Sequence, residues 1–206
     1  MNLSFYRADA KYCDFLRQAD PCVPYTQAKK ETRPFVGILI TVAEMNYYAP
    51  LTSPKPKHRG MKNQLDFLKI NHGTWGAINF NNMIPIHPQC LTAVELRILP
   101  TDVKADVDYK NLLANQLSWC NANKKQILKQ AAKLYGIITT GKARPELAGR
   151  CCNFRIDEQQ CRVYCEAHGL VLGKPKNNTL SEMINLITEK NIHGEIETNG
   201  PVGKEL

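Results

Sequence analysis

The longest apolar run in the chain, Phe35 to Ala43, is rich in valine and isoleucine and carries no charge. A run of this kind makes a strand buried on both faces, and it falls far short of the about 20 residues that a membrane-spanning helix needs. A strand buried on both faces requires other elements to cover it. The rest of the chain therefore has to supply partner strands beside it and helices above it, which predicts an α+β fold.

The flanking patterns supply both. Leu3 and Phe5 alternate with Ser4 and Tyr6 as in a half-buried strand, and Asp9 stands where a helix N-cap would. Tyr12, Phe15, Leu16 and Ala19 fall on one helical face, and Asp20-Pro21 ends the run. Residues 20–34 read as an exposed loop. A turn at Glu44 to Asn46 leads into Tyr47 to Pro50. Further strands are predicted at Phe67 to Ile70, Gly76 to Phe80 and Met83 to Ile86, the last two joined as a hairpin through Asn81-Asn82. Leu112, Leu113, Gln116, Leu117 and Cys120, continued by Ile127, Leu128, Ala131 and Tyr135, keep a helical period over residues 108–135, before Gly136. That predicts one long helix over the sheet, with room for a break near Asn121. A second helix is expected from Ile156 to Ala167, stopped by Gly169, and Thr179 with Glu182 forms a capping box for a third over Leu180 to Lys190. Residues 1–165 would be the main domain, and residues 166–206 a helical C-terminal extension with a loose tail.

The formal charge of +8 over 206 residues points to polyanions, with nucleic acid the commonest and an anionic membrane surface the alternative. The N-terminus carries Arg7, Asp9, Lys11 and Asp14 where a signal peptide needs an apolar stretch, so a soluble cytoplasmic protein with no membrane partner is expected. Eight cysteines would suggest disulfides in a secreted domain, but reduced thiols suit this setting. Cys151, Cys152, Cys161, Cys165 and His168 cluster in sequence. Their first pair is adjacent, whereas structural zinc sites space their ligands two to four residues apart, so no metal and no cofactor is expected. Basic residues concentrate at Lys29, Lys30, Arg33, Lys55, Lys57, Arg59, Lys62 and Lys69, against Glu31, Glu44 and Asp66 in the same stretch. The anion-binding face is placed there. The acidic segment after Leu180 should not add to it.

Within that stretch, Tyr48-Ala49-Pro50-Leu51-Thr52-Ser53-Pro54-Lys55-Pro56-Lys57-His58-Arg59 combines hydroxyls, prolines and cations. Hydroxyls donate to phosphate oxygens, cations neutralise the charge that builds at phosphorus, and proline narrows the backbone choices beforehand. The alternative is an ordinary solvated turn, in which Ser-Pro and Lys-Pro steps are common. No Gly-rich phosphate loop, paired carboxylate metal site or His-Glu-x-x-His appears. RNA has a route without metal, because its own 2'-hydroxyl can attack the neighbouring phosphorus. Thr52, Ser53, Lys55, Arg33, Tyr12 and His58 offer groups of the required kinds. Tyr12 also fits the core, His58 serves equally as phosphate contact or as acid and base, and Lys29 and Lys30 fit either a solvated loop or RNA backbone contacts. Trp75 and Phe67 could stack on bases or be buried.

The chain resembles the ToxN/AbiQ family of endoribonuclease toxins from type III toxin-antitoxin systems. The resemblance runs through Lys11-Tyr12, Val23-Pro24, Phe35-Val36-Gly37-Ile38, Ala49-Pro50-Leu51-Thr52-Ser53-Pro54-Lys55, Gly76-Ala77-Ile78-Asn79, Asn82-Met83-Ile84-Pro85-Ile86, Leu112 to Gln116 and Cys152-Asn153-Phe154. It covers about the first 160 residues. It implies a compact MazF/Kid-like twisted antiparallel sheet with packed helices, and metal-independent cleavage of adenine-rich cellular or phage mRNA. It also implies an RNA antitoxin made as tandem repeats and processed into pseudoknots, bound in closed protein-RNA assemblies, and a role in phage defence. Carried over by position, the active-site groups would be Tyr12, Arg33, Thr52, Ser53 and Lys55, with RNA contacts from Lys29, Lys30, Lys57, His58, Arg59, Lys62 and Lys69. The family often has lysine where this chain has Arg33, which suits a charge clamp and not a proton carrier. The rival readings are a non-catalytic RNA- or DNA-binding module and a zinc-dependent regulator built on the Cys151 to His168 segment.

Overall fold

Why the long apolar run must be covered is plain from its partner, the strand that follows it. The computed structural model describes residues 2–25 and 33–172. Its strands are β1 (Ser4–Ala8), β2 (Phe35–Gly37), β3 (Thr41–Val42), β4 (Met45–Thr52), β5 (Phe67–Lys69), β6 (Ala77–Asn79), β7 (Ile84–Pro85) and β8 (Leu91–Ala93). Its helices are α1 (Ala10–Ala19), α2 (Pro56–Gly60), α3 (Lys104–Ala122), α4 (Lys124–Thr139), α5 (Pro145–Ala148) and α6 (Phe154–Ala167). The sheet runs β5-β6-β4-β2-β1-β8, with β3 and β7 also paired to β4. Every strand pair in it is antiparallel, so the α+β reading holds.

β4 is the spine. It pairs with β2 (Val36↔Ala49), β3 (Thr41↔Asn46), β6 (Leu51↔Ile78) and β7 (Tyr47↔Pro85). The run expected as one strand is two short ones, because β2 and β3 lie in turn along β4. The turn back into β4 falls at Ala43 and Glu44, which take φ of 46° and 68°, one residue or more before the expected position. β4 then continues past Pro50 to Thr52. Its odd-numbered backbone groups face β2 and β3, as Leu51 N–H to the Pro34 carbonyl (2.8 Å) and Tyr47 N–H to the Ile40 carbonyl (2.9 Å) show. The missing N–H of Pro50 therefore falls on the opposite side, in the gap between β7 and β6, where no ladder bond is lost.

That same gap corrects the expected hairpin. Asn81-Asn82 belongs to a 3-10 turn, Phe80–Asn82, and β6 and β7 do not pair with each other; they lie one after the other along β4. On the helical side the break comes at Asn123, and α4 runs through Gly136 to Thr139. α1 and α6 match the predicted patterns, with Asp9 and Asn153 capping through their side chains. β8 was not foreseen. The Thr179 helix and the rest of the expected C-terminal extension beyond residue 172 lie outside the described residues, while residues 166 and 167 of that extension belong to α6. Among the described residues, no helix is long and apolar enough to cross a membrane.

The core is joined at one polar point. The Tyr47 and Tyr135 hydroxyls donate to Glu158 Oε1 at 2.9 and 2.6 Å, and the rings of Tyr47, Tyr135 and Phe154 pack together around them. This ties β4, α4 and α6 to one buried carboxylate. Glu158→Ala strands the Tyr135 phenol and leaves that of Tyr47 only the Phe154 carbonyl at 3.4 Å, and is expected to cost about 3 kcal/mol, whereas Glu158→Gln keeps an acceptor and costs less. Urea unfolding of the two variants checks this ordering.

Candidate active site

The end of β4 is a crossing point. The antiparallel register that pairs Phe35 with Pro50, carried outward, sets Arg33 opposite Thr52, and on the other side Thr52 pairs with Ala77. After Thr52 the chain leaves the sheet through Ser53 and Lys55, and Pro56 starts α2. α3 lies across this end of the sheet. The result is a cleft of about 190 Å³ lined by Arg33, Thr52, Ser53 and Lys55 on the sheet side, and by Tyr109, Leu112, Leu113 and Gln116 of α3. It is smaller than the about 300–1,000 Å³ pockets that enclose whole drug-sized ligands. A phosphate with part of its sugar fits, and the remainder of a chain-like ligand would lie along the surface.

The side chains in the cleft are available. Ser53 and Lys55 are exposed, and Thr52 makes only a marginal contact, Oγ1 to the Ser53 carbonyl at 3.5 Å. Arg33 is half-buried, and burial lowers its pKa, but a guanidinium remains charged at physiological pH. Lys55 also borders a second hollow with Pro54, Pro56, Arg59, Gly73 and Thr74, so the basic surface continues past the cleft. Asp66, one of the few acids in this stretch, is turned away and holds Arg150 (Nε to Oδ2 2.5 Å, Nη2 to Oδ1 3.1 Å). That pairing removes a carboxylate that would have repelled an anion.

Four of the five expected catalytic residues thus converge, and Tyr12 does not. It is fully buried, and its hydroxyl donates to the Pro85 carbonyl at 2.5 Å. Pro85 pairs with Tyr47. Along β4 that point lies about 17 Å from Thr52 at roughly 3.4 Å per residue. Burial, followed by the neighbouring Cys161, pushes the Tyr12 pKa well up, so it is a core hydroxyl. His58 is corrected as well. It is 2% exposed, its ring packs edge-on to Phe67 at 5.6 Å, and its Nδ1 has no partner among the described residues. Burial first, then Lys55 and Lys57, lowers its pKa, so it is a neutral ring under α2 and no phosphate contact.

Lys57, Arg59 and Lys62 are exposed around α2, and Lys69 donates to the Arg59 carbonyl at 3.4 Å. Lys29 and Lys30 lie outside the described residues. Phe67 and Trp75 are both half-buried, Phe67 beneath His58. The rival zinc reading of the Cys151 to His168 segment finds no support in its own residues, since Cys151, Cys161, Cys165 and His168 belong to no group with metal-ligand geometry among the described residues. All eight thiols are free, and among the described residues the group with metal-ligand geometry is Asp20, Cys152 and Asp157.

Gln116 is the residue that sequence reading missed. It is 2% exposed, its Nε2 donates to the Trp75 carbonyl at 2.5 Å, and its Oε1 is buried with no partner among the described residues. The signal was a glutamine in a row of apolar helix positions between Leu113 and Cys120. The Trp75 carbonyl accepts from the amide nitrogen and so fixes which way the amide points. The amide oxygen is therefore an unmet acceptor behind the cleft wall, which costs about 1–3 kcal/mol.

Comparison with known proteins places this arrangement. The family model described as "Toxin ToxN, type III toxin-antitoxin system" matches residues 4–162. Endoribonuclease ToxN of Bacillus thuringiensis subsp. kurstaki is 28% identical over 169 residues, covering 80% of this chain and 86% of its own. Endoribonuclease ToxN of Pectobacterium atrosepticum is 29% identical over 170 residues, covering 79% and 94%. A solved type III toxin-antitoxin structure, whose toxin is selectively inhibited by a non-coding RNA pseudoknot, superposes with a TM-score of 0.66 at 28% identity over 81% of this chain and 99% of its own. AbiQ, a lactococcal anti-phage endoribonuclease, shares the fold with a TM-score of 0.67 at 20% identity over 81% and 99%.

Proposed function

The chain belongs to the ToxN family of type III toxin-antitoxin toxins, and from that premise we propose that it is an endoribonuclease toxin held inactive by a structured RNA. The observation that carries the reading is the convergence of Arg33, Thr52, Ser53 and Lys55 in one cleft. These groups suit internal transesterification of RNA. The substrate's 2'-oxygen attacks the adjacent phosphorus and gives up its proton, the bond to the 5'-oxygen breaks, and that oxygen takes a proton. The products are a 2',3'-cyclic phosphate and a 5'-hydroxyl. Thr52 and Ser53 donate to the non-bridging oxygens, and the Arg33 and Lys55 cations offset the negative charge gathering on them. Such a step asks for charge and position, both of which these four residues supply.

Adenine-rich cut sites, a processed pseudoknot as inhibitor, closed protein-RNA assembly, a cytoplasmic location and a role against phage complete the proposal. The exposed basic residues Lys57, Arg59 and Lys62 beside the cleft support it, because a backbone laid across them reaches Lys55. An inhibitory RNA with one end in the cleft blocks substrate by occupancy alone.

The test is incubation of the purified chain, freed of co-purified RNA, with mixed-sequence RNA in excess EDTA, followed by mapping of the cuts and analysis of the new 3' ends. Adenine-rich cuts with cyclic-phosphate ends are expected. Intact RNA from folded protein sinks the reading and leaves a non-catalytic nucleic-acid-binding module in its place.

A further inference from the structure

Where α1 ends and α6 begins, three metal-ligating side chains from two chain segments meet below the surface, with a half-buried cysteine beside them. Asp20 is the C-cap of α1, Cys22 lies in the turn behind it, Cys152 precedes α6, and Asp157 sits in the first turn of α6. Ligand atoms of Asp20, Cys152 and Asp157 all lie within 4.8 Å of one another. Zn–O and Zn–S bonds of about 2.0–2.3 Å put tetrahedral ligands roughly 3.3–3.8 Å apart, so small side-chain adjustments close the set. Cys22 stands two residues after Asp20, in the same turn. Its backbone is pinned, with N–H to Asp20 Oδ1 at 2.9 Å and carbonyl to Asn82 Nδ2 at 2.8 Å.

Asp157 carries the argument. It is 0% exposed, and neither carboxylate oxygen has a hydrogen-bond partner among the described residues. An uncompensated buried carboxylate costs several kcal/mol, so something must meet it. A proton shared with Asp20 would satisfy one Asp157 oxygen and leave the other orphaned. Asp20 is already committed on both sides, since its Oδ1 takes the Cys22 N–H and its Oδ2 takes the Asn153 N–H at 2.6 Å. A divalent cation satisfies both Asp157 oxygens or one oxygen and the thiols together, and each Asp20 oxygen keeps a lone pair for it. The ligands come from two distant parts of the chain, so a cation bound there would tie those parts together.

We propose that the buried trio Asp20, Cys152 and Asp157, completed by the half-buried Cys22 beside them, forms a tetrahedral site for a zinc-class divalent cation that fastens the end of α1 to the start of α6. The cation enters as the chain folds, displacing the protons of the thiols, and is structural, because the ligands belong to the α1–α6 junction and none lines the cleft. This inference does not depend on the cleavage reading.

The test uses the full chain, unfolded, stripped with a chelator and refolded with Zn2+, with Co2+ or with neither. One metal per chain after gel filtration is expected, with a thiolate-to-cobalt charge-transfer band and tetrahedral d–d absorption for Co2+. The Zn2+-refolded protein should melt more than about 5 °C above the metal-free one. Asp157→Asn and Cys152→Ser should each weaken metal binding at least tenfold, while Cys161→Ser, outside the set, should leave it unchanged. A folded chain that takes up no metal overturns the proposal, and so does metal retained in both site variants. An Asp157→Asn chain that melts at or above the wild-type temperature with or without Zn2+ assigns the site to a buried proton instead.

Discussion

Lys55→Ala is expected to lower the rate of RNA cleavage by about 10²–10³, or ~2.7–4 kcal/mol of transition-state stabilisation, while changing folding stability by no more than about 0.5 kcal/mol. The two halves of that expectation rest on different facts. Lys55 is exposed and borders both the cleft and the hollow next to it, and its ammonium has no partner among the described residues, so its loss leaves no cavity and no orphaned group. It lines the same cleft as Thr52, Ser53 and Arg33, where in the proposed reaction charge would build as phosphorus becomes five-coordinate. Single-turnover cleavage of a short RNA separates the effects. A loss confined to the chemical step, with RNA affinity reduced less than tenfold, marks Lys55 as a transition-state group. Lys55→Arg keeps the charge in a different shape and should recover part of the rate. Equal losses in affinity and rate would make Lys55 a binding residue only and return the binding-module reading to the front.

The cleft was legible in sequence because its chemistry is local. Thr52, Ser53 and Lys55 are neighbours in the chain, and Arg33 reaches them through the pairing of two strands whose apolar pattern was visible. What failed were inferences from one residue type. Pro50 read as the end of a strand, yet its ring sits where β4 changes partners and no N–H is needed. Asn81-Asn82 read as a hairpin, yet the strands it joins both need β4 more than each other. Gly136 read as a stop, yet nothing crowds that face of α4 and the helix continues. β8 has one half-buried and two exposed residues, so it shows no alternation, and only its pairing with β1 defines it.

The site residues that misled did so for a common reason. Tyr12 and His58 each carry a useful polar group on a mostly apolar body, and burial decides between roles that composition leaves equal. The Tyr12 hydroxyl is taken by a backbone carbonyl and His58 is roofed by its own helix. The cysteines show the limit of proximity in sequence. Cys151, Cys152, Cys161, Cys165 and His168 are neighbours in the chain, while the fold brings only Cys152 among them to Asp20 and Asp157, a grouping that only three-dimensional structure displays.

Gly76→Ala is expected to destabilise the chain by more than about 3 kcal/mol and to abolish cleavage. Gly76 has φ of +94°, and a Cβ there would stand 2.0 Å from the Thr52 carbonyl oxygen and 3.2 Å from the Ser53 carbonyl carbon. The left-handed backbone alone costs an alanine roughly 1–2 kcal/mol. The clash adds to it, because the atoms in the way are backbone and belong to the strand end that presents both hydroxyls. Relief requires β6 to part from β4 at Thr52↔Ala77, which moves Thr52 and Ser53 away from Arg33 and Lys55. The neighbouring Trp75 carbonyl would shift too, releasing the Gln116 amide that it orients. Gly141→Ala is the control. Its φ is +69°, but no atom lies within 4 Å of the added Cβ, so it should cost about 1 kcal/mol and leave cleavage intact. Urea unfolding and cleavage assays on the two variants, run at a temperature where both stay folded, separate backbone strain from the clash with the site. If Gly76→Ala cleaves RNA at the wild-type rate, the Thr52–Ser53 backbone does not set the reacting geometry, and the roles given to those hydroxyls fall with it.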